Sequence, residues 1–297
     1  MSSFDQQVSE SAIHYPLQLP ASRWRAALKL ILGRLLLTAM PRQGESVLHS
    51  GDPMAFTALQ RLLVAGHLER ARRTGDWDAL TPIQSRFWAG RGGQLFNSVQ
   101  GVADRFQTWF LGPHQAVVDA LAEQIGDGSG WQGLTELGSG NGLALDFLSR
   151  RFPALPMLTG VDLNGESAAA NSARYNNPRL RFVAAEACDW VRRHAEGGQV
   201  WFSNAGVLEY LSESQVLGIY QALAQAPGAS VFALVEPIEQ AHDLARQAGS
   251  IINTLEHSHS HNHPALLQKT GWSLRYQQET TVIGLRWLMV VAVKNNP

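Results

Sequence analysis

Apolar positions follow two different rhythms along this chain. From residue 22 to about 125 they recur at helical spacing. The run 24–40 carries Ala26, Ala27, Leu30, Ile31, Leu35 and Met40 on a 3.6-residue period, is interrupted by Arg25, Lys29 and Arg34, and is closed by Pro41. Ser22 stands where it would cap that helix. Asp52-Pro53 pairs an N-cap residue with proline at the first helical position, which predicts a helix reaching Arg73. Further helices are predicted over 85–95, 99–110 and 114–125.

Gly126-Asp127-Gly128-Ser129-Gly130 breaks this rhythm and marks a boundary. Beyond it, short apolar runs at 134–137, 157–161, 180–183, 200–203 and 230–235 alternate with helical patterns at 143–151, 167–175, 187–195 and 213–226. Ser212 and Gln215 have capping-box spacing at the start of the last helix. Strand and helix in repeated alternation predict an α/β fold whose parallel sheet is covered by helices on both faces. Two runs at 272–277 and 286–293, separated by a turn around Gly284, predict a terminal antiparallel hairpin. The chain therefore reads as an N-terminal helical region, 1–126, followed by an α/β domain, 131–297.

Composition narrows the function classes. The 297 residues carry 24 basic and 25 acidic side chains. Divided at Gly130, the two parts hold 12 basic against 11 acidic and 12 against 14, so neither has the excess needed to neutralise a phosphate backbone. No nucleic-acid partner is expected. The single cysteine, Cys188, fits a reducing cytoplasmic setting, and residues 1–5 lack the basic start of a secretory leader. The run 24–40 is too short and too charged to span a membrane. It suits a core or dimer-interface helix, or a peripheral amphipathic one.

The chemistry concentrates at Glu136-Leu137-Gly138-Ser139-Gly140-Asn141-Gly142, between a predicted strand and a predicted helix. Alternate glycines let a ligand lie against bare backbone while the helix aims its N–H groups at it. A dinucleotide fold favours Gly-x-Gly-x-x-Gly. Here the third glycine falls one position early, and an acid stands two residues before the first.

This spacing resembles the first motif of class I S-adenosylmethionine-dependent methyltransferases of the small-molecule type. The resemblance covers about 134–294 and implies a Rossmann-like seven-stranded methyltransferase sheet, mostly parallel, with a terminal antiparallel hairpin. It implies S-adenosylmethionine as cofactor and S-adenosylhomocysteine as product. Glu136, Gly138, Ser139 and Gly140 would carry the aminoacyl and ribose portions. Asp162, at the tip of the second strand, would accept the ribose hydroxyls, with Leu163 flanking the adenine. Glu186 would accept from the adenine amine, with Ala187 presenting its N–H; Asp189 is the rival acid, and Cys188 reads as a packed apolar residue. The fourth strand leads into Asn204 and Ala205 at the methionine end. Glu209 and Tyr210 either face the substrate or cap and pack the next helix. This segment departs from the Asn/Asp-Pro-Pro-aromatic motif of enzymes that methylate base or glutamine amino groups.

His257, His259, His261 and His263 alternate along one stretch, next to Glu256. Three readings stand: a divalent metal site, a general base drawn from His261 or His263, or a polar loop entering a short helix at Pro264. Glu236, before Pro237, is a further candidate for the cleft. The expected activity is methyl transfer to an oxygen, nitrogen or carbon atom of a small metabolite or natural product. A non-catalytic cofactor-binding module, a metal-dependent enzyme using the histidine row and a dinucleotide oxidoreductase are the alternatives. The helical region would serve as lid, substrate wall or homodimer surface.

Overall fold

The computed structural model describes residues 15–20, 22–98, 104–253 and 257–294. The leader reading at 1–5, the beginning of the predicted 99–110 helix and Glu256 lie outside the described residues. Two compact units are present, one built from the chain up to Val99 together with 255–257, the other from the remainder.

The first unit is helical: α1 (Arg23–Ala39), α2 (Pro41–His49), α3 (Ala58–Thr74), α4 (Thr81–Ala89) and α5 (Arg91–Ser98). One cap and two boundaries differ from expectation. Ser22 precedes α1 without a side-chain cap bond. Asp52 caps only a short 3₁₀ turn, accepting from the Met54 N–H, and α3 starts later behind a Thr57–Gln60 capping box. The predicted 85–95 run is broken at Gly90, whose extended backbone cannot continue a helix. Leu63, Leu68, Leu80 and Ile83 form the core of this unit. Helices α1 and α3 meet at glycines: a Cβ on Gly33 would lie 2.4 Å from the Leu62 carbonyl oxygen, and one on Gly66 would lie 2.3 Å from that of Gly33.

The second unit opens with a π-helical turn, Phe106–Phe110, and α6 (Gln115–Ile125). The expected domain boundary near 126 is corrected here. Val117, Val118 and Leu121 of α6 are fully buried in the core of the sheet unit, so this helix belongs with the sheet. There follow β1 (Gly133–Leu137), α7 (Leu143–Arg151), β2 (Leu158–Asp162), α8 (Gly165–Arg174), β3 (Leu180–Ala184), α9 (Ala187–His194), β4 (Gln199–Asn204), a 3₁₀ turn (Leu208–Tyr210), α10 (Glu213–Gln225) and β5 (Ser230–Ile238). A small ladder of β6 (Ile251–Ile252) with β7 (His259–Ser260) precedes α11 (His263–Lys269), β8 (Trp272–Val282) and β9 (Leu285–Lys294).

The main sheet has the order β3-β2-β1-β4-β5-β9-β8. Strands β1 to β5 pair in parallel, and β9 runs antiparallel between β5 and β8. This is the mostly parallel seven-stranded sheet with a terminal hairpin that the sequence implied. The hairpin is longer than its apolar runs suggested, because β8 continues through polar residues at the sheet edge to Val282. One face packs on α6 and α7 through Leu134, Leu145, Phe202 and Met289. The other packs on α9, α10 and α11 through Trp201, Tyr220, Phe232 and Leu288. Parallel strands aim all their carboxyl ends at one rim, where ligands of such sheets bind.

Candidate functional site

The rim begins at the glycine loop. Gly138, Gly140 and Gly142 have φ of 73°, 50° and 76°, a region open to glycine at little cost. Space also excludes side chains: a Cβ on Gly138 would sit 2.3 Å from Val207, and one on Gly142 would sit 2.7 Å from the Tyr175 ring. The N–H groups of Gly138 and Ser139 both donate to the Val161 carbonyl, at 2.7 and 3.1 Å, fastening the loop to β2.

Three side chains then hold the loop's backbone. Asp162 Oδ2 accepts from the Gly140 N–H at 2.8 Å. Asn171 Nδ2 donates to the Gly140 carbonyl at 2.8 Å, and the Tyr175 hydroxyl donates to the Asn141 carbonyl at 2.9 Å. Asn171 and Tyr175 were missed by sequence reasoning, since a polar residue on α8 and a tyrosine just beyond it carry no motif. Asp162 Oδ1 accepts from the Asn164 N–H, while the Asn164 side chain caps α8 through the Ser167 N–H. Each carboxylate oxygen of Asp162 therefore keeps one lone pair for a further donor. Burial raises the Asp162 pKa, and its two backbone bonds oppose that shift. Leu163, next along, is half-buried.

Beneath the loop lies Glu136, buried on β1, with no hydrogen-bond partner for Oε2 among the described residues. Burial first, and the nearby Asp162 second, push its carboxyl well above the usual range. A buried carboxylate oxygen left unpaired is costly, which makes this atom a candidate acceptor for a ligand's donor group.

At the end of β3, Glu186 Oε2 accepts from the Asp189 N–H at 2.8 Å and caps α9, whose first residue is Ala187. The rival Asp189 pairs with Arg192 on the exposed helix surface. Glu186 also borders a cavity of about 220 Å³ between α9 and α10, together with Cys188 and Gln215. Burial pushes the Cys188 thiol up to about 12, in keeping with a packed residue.

After β4 the backbone turns through Ala205 at φ 65° and Gly206 at φ 87°. A left-handed alanine is strained, and such strain persists only where surrounding structure enforces it. Glu236 supplies that enforcement. Its Oε1 accepts from the Ser203 hydroxyl at 2.7 Å and the Val207 N–H at 3.3 Å, and its Oε2 from the Leu208 N–H at 3.1 Å. Burial pushes its pKa up to about 7 against the pull of these bonds. Asn204 Oδ1 is buried without a hydrogen-bond partner among the described residues, beside this turn. Glu209 is buried and accepts from the Ser258 hydroxyl at 2.7 Å, which gives it a packing place; Tyr210 is half-buried at the end of the 3₁₀ turn.

The histidine row does not act as one set. His257, at φ 58°, belongs to the helical unit, where its ring lies 5.9 Å from Trp77. His259 and His261 stack at 5.5 Å, as alternation on an extended segment predicts. His261 Nε2 lies 3.0 and 3.1 Å from the Leu208 and Leu211 carbonyls, so it carries the hydrogen, and Nδ1 accepts from the Ser250 hydroxyl at 2.6 Å. Burial lowers the His261 pKa to about 3. His263 Nδ1 is 2.7 Å from the Tyr220 hydroxyl, and burial holds it well below the usual range. Of the two histidines expected as a base, His261 has both nitrogens committed to hydrogen bonds, and His263 is buried with Nδ1 held at the Tyr220 hydroxyl. Among the described residues no three His, Cys, Asp or Glu side chains converge on a metal position.

Buried histidines outside the row also escaped sequence reasoning, His114 among them. His114 sits just before α6, with Nε2 lacking a hydrogen-bond partner among the described residues, and burial lowers its pKa to about 4. Its ring lies 4.9 Å from that of Trp287, whose Nε1 is likewise without a partner. Trp287 pairs with Pro237 near the carboxyl end of β5, so both groups lie at the same rim as the loops. Trp109, 5.6 Å from Trp287, comes from the π-helical turn. Such turns recur at functional sites.

No protein-family model matches the sequence, and no curated protein does. Among solved structures, the chain is similar to magnesium protoporphyrin IX methyltransferase from Synechocystis with bound S-adenosylmethionine, at 13% identity and a TM-score of 0.49, over 72% of this chain and 97% of that one. It is also similar to 1,6-didemethyltoxoflavin-N1-methyltransferase from Burkholderia thailandensis, at 16% identity and a TM-score of 0.45, over 61% and 78%. A third likeness is to the N-methyltransferase NodS of Bradyrhizobium japonicum, at 15% identity and a TM-score of 0.42, over 61% and 95%.

Proposed function

We propose that the sheet unit binds S-adenosylmethionine on the glycine loop and transfers its methyl group to an oxygen, nitrogen or carbon atom of a small molecule. The observation that carries this reading is the unpaired, buried Glu136 Oε2 beneath a loop whose backbone is held open by Asp162, Asn171 and Tyr175. An ammonium group suits Glu136, because a cation would hold its carboxylate ionised against burial. The residues fit the cofactor elsewhere too. Asp162 retains lone pairs for vicinal hydroxyls. Leu163, Glu186 and Ala187 suit the adenine. Ser139, Gly138, Gly140, Asn204 and Ala205 suit the methionine end.

S-adenosylmethionine supplies a methyl group already activated on a sulfonium. The protein's work is then to hold donor and acceptor in line and to exclude water. The Glu236 clamp fixes the turn at Ala205, and through it the wall nearest the reacting groups. For the acceptor we propose the aromatic side of the rim, near Trp109, His114 and Trp287. The two unpartnered nitrogens there suit a neutral polar group on a largely apolar molecule.

Turnover distinguishes an enzyme from a module that only binds. Full-length protein incubated with S-adenosylmethionine and a library of hydroxylated and amino aromatic metabolites should release S-adenosylhomocysteine over many turnovers with at least one of them. Tight cofactor binding with no turnover on any would favour the non-catalytic reading.

A further inference from the structure

Helix α1 packs on α3 with one side only. Leu30 and Gly33 are buried there, and the glycine contacts with Gly66 and Leu62 bring the two backbones together. Opposite them, Trp24, Leu28, Ile31, Leu32 and Leu35 form a continuous stripe at helical spacing and remain exposed, Trp24 at 65% and Leu35 at 61%. The sequence left this helix between a core or dimer-interface place and a peripheral amphipathic one. Exposure of the stripe removes the core reading.

Charge decides what covers it. Arg23, Arg25, Lys29 and Arg34 are the charged residues of α1, and no acid is among them. At 100° per residue Arg23 and Arg34 border the stripe on one side, Arg25 and Lys29 on the other. The stretch 15–98 holds eleven basic against five acidic residues, a surplus that the near-neutral whole chain conceals. A second copy docking through this stripe would set cationic borders against cationic borders. An anionic lipid surface meets both features at once, taking the apolar stripe among its acyl chains and the arginines among its headgroups.

We propose that α1 is an interfacial helix that docks the protein onto anionic membranes without crossing them. No helix among the described residues is long and apolar enough to span a bilayer. The test is co-flotation of the full chain with two sets of vesicles, pure phosphatidylcholine and phosphatidylcholine containing one third phosphatidylglycerol. Partitioning onto the anionic vesicles should be about tenfold stronger and fall with added salt. The double variant Ile31→Gln/Leu35→Gln should lose about tenfold in partitioning, as should Arg25→Gln/Arg34→Gln. Both alter exposed positions, and circular dichroism should show the helical content unchanged. Equal partitioning onto both vesicles, absence of binding, or variants that float like the parent would each overturn the proposal. So would a dimer in light scattering that Ile31→Gln/Leu35→Gln converts to a monomer, which would assign the stripe to a second copy.

Discussion

The carboxylate of Asp162 accepts a hydrogen bond from the backbone N–H of Gly140 across 2.8 Å, so the acid at the tip of the second strand sets the shape of the loop after the first. That acid holds the loop, and under the proposed function its remaining lone pairs would take the ribose hydroxyls. Asp162→Asn keeps the size but removes the charge. A hydrogen bond to a charged group contributes about 1.5–3 kcal/mol, so cofactor affinity should fall roughly ten- to hundredfold. Calorimetric titration of parent and variant checks this.

Glu136→Gln should separate stability from binding. The parent carries an unpaired, desolvated carboxyl at this position. Neutralising it should leave the thermal midpoint of the ligand-free protein unchanged or higher, at neutral pH, and weaken cofactor binding by about tenfold or more. A fall in both together would make Glu136 a structural residue only.

Gly138→Ala should destabilise the loop by about 1–3 kcal/mol, because alanine at φ 73° is strained and its Cβ would press on Val207. Thermal unfolding with and without cofactor measures both losses.

Glu236 gives a pH signature with a definite sign. Its folded pKa, about 7, lies above the ordinary carboxylate value of 4.5, so its contribution is fully present below that value and is lost as pH rises toward 7. The span corresponds to about 3 kcal/mol. In denaturant titrations between pH 4.5 and 7, the stability of the parent relative to Glu236→Gln should show that decline. Buried histidines pull the other way in both proteins. The pKa of His114, lowered to about 4, and that of His261, lowered to about 3, make stability fall as pH drops below 6.5, so the difference between the two curves carries the Glu236 signature.

His261→Ala should lower stability by about 1–3 kcal/mol, since the Leu208 and Leu211 carbonyls and the Ser250 hydroxyl lose their partner. It should leave the shape of the pH–rate profile intact. Disappearance of the acidic limb, where activity rises with pH, would return the general base to this residue.

Legibility in the sequence followed the range of the interactions involved. The alternation of strand and helix, the terminal hairpin and the glycine loop were readable because each is written in contiguous residues. The Asn164 cap of α8 is likewise local, since its side chain accepts from an N–H only three residues on. The clamp formed by Ser203 and Glu236 was not readable, since the two residues stand 33 positions apart and meet only because β4 and β5 are neighbours. Asn171 and Tyr175 escaped for the same reason. For the histidine row the sequence left a metal site, a base and a polar loop entering a helix at Pro264 all open. The chain does enter a helix there, α11, while His257 has a left-handed backbone and the buried His261 and His263 rings have separate hydrogen-bond partners. The late start of α3 was missed because Asp52-Pro53 is a strong helix signal that here opens only one 3₁₀ turn.

Titration of the full chain with S-adenosylhomocysteine, followed by calorimetry and by amide shifts of Gly138, Gly140 and Gly142, tests the cofactor site most directly. Saturable micromolar binding that moves those amides, and that Asp162→Asn weakens, is the result expected. No heat and no movement of the glycine amides, at concentrations that would register such binding, would contradict it.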